Sequence, residues 1–105
     1  MNNVIRNFNG FPFAIDIKNI LNDNTLYIDV KVCSIWLFYI KVFSNKDKSN
    51  LIYEFEFDKY HQQINWDKSF YSQELSASQK ENILNSILSF PLFAFQKENE
   101  NQTQI

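Results

Sequence analysis

The sequence predicts an α+β fold: a mostly antiparallel β-sheet, a strongly curved meander of about five to six strands, with one C-terminal α-helix packed on one face. Three observations carry this expectation. Apolar residues alternate with period two along Leu26–Val42 and again along Leu51–Phe57, the spacing that lines one face of a strand. One stretch, Ala77–Ser89, switches to a helical period. The chain of 105 residues is 45% hydrophobic with eleven Phe, enough for a ring-dominated core. Residues 1–95 are expected to form one globular domain and Gln96–Ile105 (QKENENQTQI) a disordered polar tail.

Taken in order, Asn9-Gly10 lies between Val4–Phe8 and Phe11–Ile17, and Asn-Gly is a strong signal for a two-residue hairpin turn. In the second of these segments Phe11, Phe13, Ile15 and Ile17 share one strand face, with Pro12 placed at an edge or bulge. Asn22-Asp23-Asn24 predicts the next turn, because Asn and Asp tolerate left-handed backbone. From Leu26 to Val42 the even positions are apolar apart from Ser34, which predicts one long bent strand or two strands joined at Cys33-Ser34, with Trp36 in the core. The odd face becomes apolar beyond residue 34 (Ile35, Leu37, Tyr39, Phe43), so a cover is expected there, with the helix as its candidate.

Ser44–Asn50 (SNKDKSN) reads as a polar loop and Leu51–Asp58 as a strand with Tyr53, Phe55 and Phe57 inside and Glu54, Glu56 and Asp58 outside. Gln62–Trp66 adds a weaker extended segment. The helix has two capping boxes available, Ser78 with Glu81 or, in a shifted register, Ser76 with Gln79. Leu84, Ile87 and Leu88, with Ile83 beside them, form its apolar stripe, and Pro91 follows its end. Leu92–Phe95 is expected as a last short strand.

Composition narrows the function classes. A single cysteine, Cys33, excludes an intramolecular disulfide, and the start MNNVIRNFNG lacks the basic, then apolar pattern of a signal peptide. The longest apolar run, Ile35–Ile40, falls far short of the roughly 20 residues of a membrane span. A cytoplasmic, reducing setting and no membrane partner are expected. Net charge is −2 with a pI near 5.3, and Arg6 is the only arginine, so no nucleic-acid partner is expected. The single glycine, Gly10, leaves no material for a glycine-rich phosphate cradle or nucleophile elbow. One histidine, His61, and one cysteine provide no metal-ligand spacing. No cofactor, no metal and no catalytic residue are expected.

What remains is binding. Glu54, Glu56 and Asp58 stand at spacing two on one strand face, an acidic stripe suited to a basic partner, against the blander reading of a solvated face paired with Lys41 or Lys31. Tyr60–Tyr71 holds the aromatic and amide mix favoured at interfaces, with Tyr60, His61, Trp66 and Tyr71 as candidate contacts. The expected function is a small cytoplasmic protein-binding inhibitor, an immunity-type or anti-defence protein that covers the site of a basic toxin or enzyme. The alternative is a non-catalytic assembly or scaffold protein, a homodimer joined through apolar sheet surface; a carrier for an apolar ligand stands third.

Overall fold

The computed structural model describes residues 4–94 of the chain. Six strands and two α-helices follow in the order β1 (Val4–Asn7), α1 (Pro12–Ile20), β2 (Tyr27–Val32), β3 (Leu37–Phe43), β4 (Leu51–Asp58), β5 (Gln63–Ile64), β6 (Phe70–Tyr71) and α2 (Ala77–Leu88), with a 3-10 turn at Trp66–Lys68. The sheet is antiparallel throughout and open, in the order β1-β2-β3-β4, with both β5 and β6 pairing along the outer side of β4. The fold is therefore α+β, with two helices where one was expected.

The added helix replaces the predicted N-terminal hairpin. Phe11, Phe13, Ile15 and Ile17 alternate, but Phe13, Ala14 and Ile17 also share a helical face, and those three are the buried ones. Pro12 decides between the two patterns. It stands in the first turn of α1, where its missing N–H costs nothing and its fixed φ suits the helix. Asn9-Gly10 do form a turn, closed by Phe11 N–H donating to Phe8 C=O (3.0 Å), but neither residue has a positive φ, so it is not the hairpin type and the chain passes into α1. Asn9 instead lends its side chain to the sheet: Phe8 N–H donates to Ile28 C=O (2.9 Å), and Asn9 Oδ1 accepts Ile28 N–H (2.8 Å). At the other end of α1 Asn22 takes the left-handed conformation (φ 61°). Asn22 N–H donates to Asn19 C=O and Asp23 N–H to Lys18 C=O, a Schellman closure.

Leu26–Val42 resolves into a hairpin. Ser34 Oγ accepts the N–H groups of Trp36 and Leu37 (3.1 Å each), and Cys33 N–H donates to Leu37 C=O, which turns the chain between β2 and β3. Trp36 therefore leaves the core for the tip, 39% exposed, beside Ile35 at 71%. Ile28 pairs with Val42, Val30 with Ile40 and Val32 with Phe38, so the even-numbered side chains of both strands share one face. β4 occupies Leu51–Asp58 and adds Tyr53, Phe55 and Phe57 to that face.

The same core takes in Phe8, Phe13 and Ile17 from the N-terminal third, and Ile83 and Ile87 from α2. The α2 stripe thus centres on Ile83 and Ile87, with Leu84 and Leu88 partly buried. Its capping box uses Ser76 and Gln79, and Gln79 Nε2 also donates to Ile20 C=O (3.4 Å), joining the start of α2 to the end of α1. Ile83 and Ile87 therefore share the even face of β3; the odd-face residues Leu37 and Tyr39 lie outside the core cluster and are half-buried. Leu92–Ala94 continue in turn and bend rather than a strand. Phe93 is fully buried there, its ring 5.3 Å from those of Phe13 and Phe38 and 5.6 Å from that of Phe57. Phe95 and the tail expected at 96–105 lie outside the described residues.

Candidate functional site

The residues expected to make one binding face fall into three neighbourhoods. Glu54 and Glu56 lie on the polar side of the sheet, where Cα pairing sets them opposite Lys41 and Tyr39. Glu54 meets Lys41 at 3.8 Å. Glu56 is only 7% exposed, which corrects the expectation of a solvated stripe. Tyr39 Oη donates to Glu56 Oε1 (3.0 Å) and Asn65 Nδ2 to Oε2 (2.8 Å). The backbone of Glu56 is also engaged: its N–H donates to Ser69 Oγ (3.0 Å), its C=O accepts Asn65 N–H (2.9 Å), and Ser69 Oγ in turn donates to Asn65 C=O (2.9 Å). The 3-10 turn between β5 and β6 thus holds a carboxylate with neutral donors. Burial and then the hydrogen bond to Glu56 push the Tyr39 phenol up to about 12, so it remains a proton donor throughout the physiological range.

The second neighbourhood lies beyond the end of β4. His61 Nδ1 sits 2.7 Å from Asp58 Oδ2, and His61 N–H donates to Oδ1 (3.1 Å). Burial alone would raise the Asp58 carboxyl; the hydrogen bonds from the His61 ring and backbone outweigh it and hold the group below its ordinary value. Tyr60 packs edge-on to Trp36 (5.4 Å) and to His61 (5.0 Å), beside the β2–β3 tip.

The third neighbourhood ties α2 to the sheet. Trp66 packs on Phe55 (5.6 Å) and Tyr71 (6.3 Å), and Lys80 Nζ lies 5.4 Å from the Trp66 ring centre and 5.5 Å from that of Tyr71. These contacts are those of a structural clamp, since Trp66 and Tyr71 both pack against the core cluster.

Two features escaped the sequence reading. Asp29, an acidic residue within a strand, is 3% exposed. Its Oδ2 meets Lys48 Nζ at 3.1 Å, and its buried Oδ1 has no hydrogen-bond partner among the described residues. Lys48 comes from the SNKDKSN loop, which its own side chains order: Asn45 Nδ2 donates to Ser49 Oγ, and Asn45 Oδ1 accepts Asn50 N–H. The second feature is a groove of about 1120 Å³ between β1, the β2–β3 tip and the segment after α2. Phe8, Phe11 and Phe90 form a wall with ring centres 5.1–5.8 Å apart, and Arg6 and Lys59 stand among the lining residues. The signal available in the sequence was the lone arginine two residues before a Phe.

Among the described residues no cluster of three or more His, Cys, Asp or Glu side chains is placed to hold a metal ion, and no helix is long and apolar enough to cross a membrane. Comparison of the chain with protein-family models, with curated proteins and with solved structures gives no match.

Proposed function

We propose that the chain is a non-catalytic, cytoplasmic protein-binding module of the inhibitor or immunity type, and that its partner adds a strand to β1. The carrying observation is the open sheet edge. Among the described residues β1 pairs only with β2, all four of its residues are exposed, and Ile5 is 53% exposed. Because Phe8 N–H bonds to β2, the even residues of β1 face β2, and the N–H and C=O of Ile5 and Asn7 point away from the sheet. An edge without proline, bulge or lysine is a ready template for another chain.

Strand addition has a clean test. Ile5→Pro removes an outward N–H while sparing the β1–β2 ladder, so it blocks the docking strand and not the fold. The native mass of the purified chain shows first whether the added strand comes from a second copy, which would make the homodimer. Otherwise the partner is recovered from the native host, identified and titrated as a pure protein. Ile5→Pro is expected to weaken either complex tenfold or more with an unchanged circular dichroism spectrum. An unchanged affinity would place the interface elsewhere.

A second reading, a basic enzyme covered by carboxylates, is favoured by the partial exposure of Glu54 and Asp58 beside Tyr60, with net charge −2. Its test variant is Glu54→Lys with Asp58→Lys. Glu56 is left alone, because a lysine there would be buried against Asn65. Association slowed mainly at low salt would support this reading.

A further inference from the structure

We propose that the groove beside β1 binds a single-chain amphipathic acid, with the apolar chain against the phenylalanine wall and the carboxylate on Arg6. The walls are apolar: Phe8, Phe11, Phe38 and Phe90 face the space together with Leu92. Phe11 is substantially exposed although its ring stacks on Phe90 (5.5 Å), so a large aromatic surface is already ordered and still faces solvent. At about 1120 Å³ the groove is slightly larger than the roughly 300–1,000 Å³ typical of small-molecule pockets.

Charge selects the head group. Among the described residues that line the space the only ionisable side chains besides the Cys33 thiol are Arg6 and Lys59, and none is a carboxylate, in a chain whose net charge is −2. Neither cation enters an ion pair among the described residues, whereas Lys41 and Lys48 both do. Arg6 shares the core-side parity of Phe8 on β1, and Lys59 continues that of Phe57 on β4. The two stand on opposite rims, three strand spacings across the sheet and four residues along it, or roughly 20 Å between backbone positions. The guanidinium fork therefore takes the carboxylate, and Lys59 adds to the positive field from across the groove.

The probe is laurate, set against dodecanol and dodecyltrimethylammonium, each below its micelle concentration. Binding is followed by calorimetry and by the rate at which a neutral maleimide labels Cys33, which lines the same groove. The expected result is saturable one-to-one binding of laurate, at least tenfold tighter than dodecanol, with the cation weaker still and Cys33 labelling slowed severalfold. Arg6→Gln should bring laurate down to the affinity of dodecanol at an unchanged melting temperature, and Phe11→Ala should weaken both ligands alike. Equal binding of the acid and the cation, indifference to Arg6→Gln, or binding that leaves Cys33 labelling unchanged would overturn the proposal. So would nuclear Overhauser contacts from residues 95–105 to the Phe11 ring in the ligand-free chain, a dimer that laurate does not dissociate, or binding to anionic vesicles without binding to monomeric laurate.

Discussion

Tyr39→Phe is the sharpest test of the buried carboxylate, because it removes one oxygen and no carbon. The Tyr39 hydroxyl donates to Glu56 Oε1 at 3.0 Å, leaving Asn65 as the other side-chain donor to that carboxylate. A hydrogen bond to a charged group contributes about 1.5–3 kcal/mol. Tyr39 is half-buried, which places the loss in the lower part of that range, about 1.5–2 kcal/mol, or roughly 6–10 °C in Tm for a domain of this size. Glu56→Gln should cost less, since an amide can accept from Asn65 and donate to the phenolic oxygen while removing a buried charge. Glu56→Ala should cost the most, because it strands two half-buried donors at once. The assay is urea unfolding of the single variants and of the Tyr39→Phe, Glu56→Gln double variant, analysed as a cycle. A Tyr39→Phe loss below about 0.5 kcal/mol, or Glu56→Gln costing more than Glu56→Ala, would refute the account. The phenol supplies an independent check. Its folded pKa, about 12, lies above its ordinary value of 10.0, so its stabilisation is complete below pH 10 and is lost as pH rises through 12. The urea midpoint should fall more steeply over that window in the parent protein than in Tyr39→Phe.

Further expectations follow from the same contacts. Ile83→Ala or Ile87→Ala should cost about 2–5 kcal/mol in urea unfolding, whereas half-buried Leu84→Ala should cost clearly less. Asp58 is held below its ordinary value of 3.8, so its stabilisation is present above that pH and is lost as pH falls through the folded pKa; His61→Ala should make acid unfolding begin at higher pH. Lys48→Met removes the cation paired with the buried Asp29 carboxylate and should lower Tm measurably, while Lys46→Met in the same loop should leave it unchanged.

The sheet was legible because its signal is parity, and parity survives a hairpin. Val32 pairs with Phe38 and Ile28 with Val42, so even residues meet even residues and the alternation passes through the turn without a slip. For the same reason alternation alone does not distinguish one long strand from two. The break lay in Ser34, whose hydroxyl captures two backbone N–H groups and leaves Trp36 at a tip. Over Phe11–Ile17 the two periods compete within seven residues. Phe13 and Ile17 fit both, Phe11 and Ile15 only the strand, and Ala14 only the helix, so the pattern does not decide. Pro12 decides it in favour of α1, and the Asn9 side chain then serves as the sheet acceptor for which a hairpin turn had been expected.

Carboxylates were less legible than strands, because the period assigns a face and not an environment. Glu54, Glu56 and Asp58 look alike in sequence, yet a different partner receives each. Lys41 comes from the neighbouring strand, Tyr39 and Asn65 from a strand and the following turn, and His61 from three residues on. Asp29 is buried by a lysine nineteen residues away. In each case the partner arrives through a loop or a cross-strand pairing that hydrophobic spacing does not encode. The consequence reaches function: carboxylates satisfied within the fold exert little field on a partner, whereas Arg6 and Lys59 face an apolar groove without an internal counter-charge among the described residues. Two of the cations without an ion pair among the described residues, Arg6 and Lys59, thus line one groove, and Arg6 stands on the open strand edge itself.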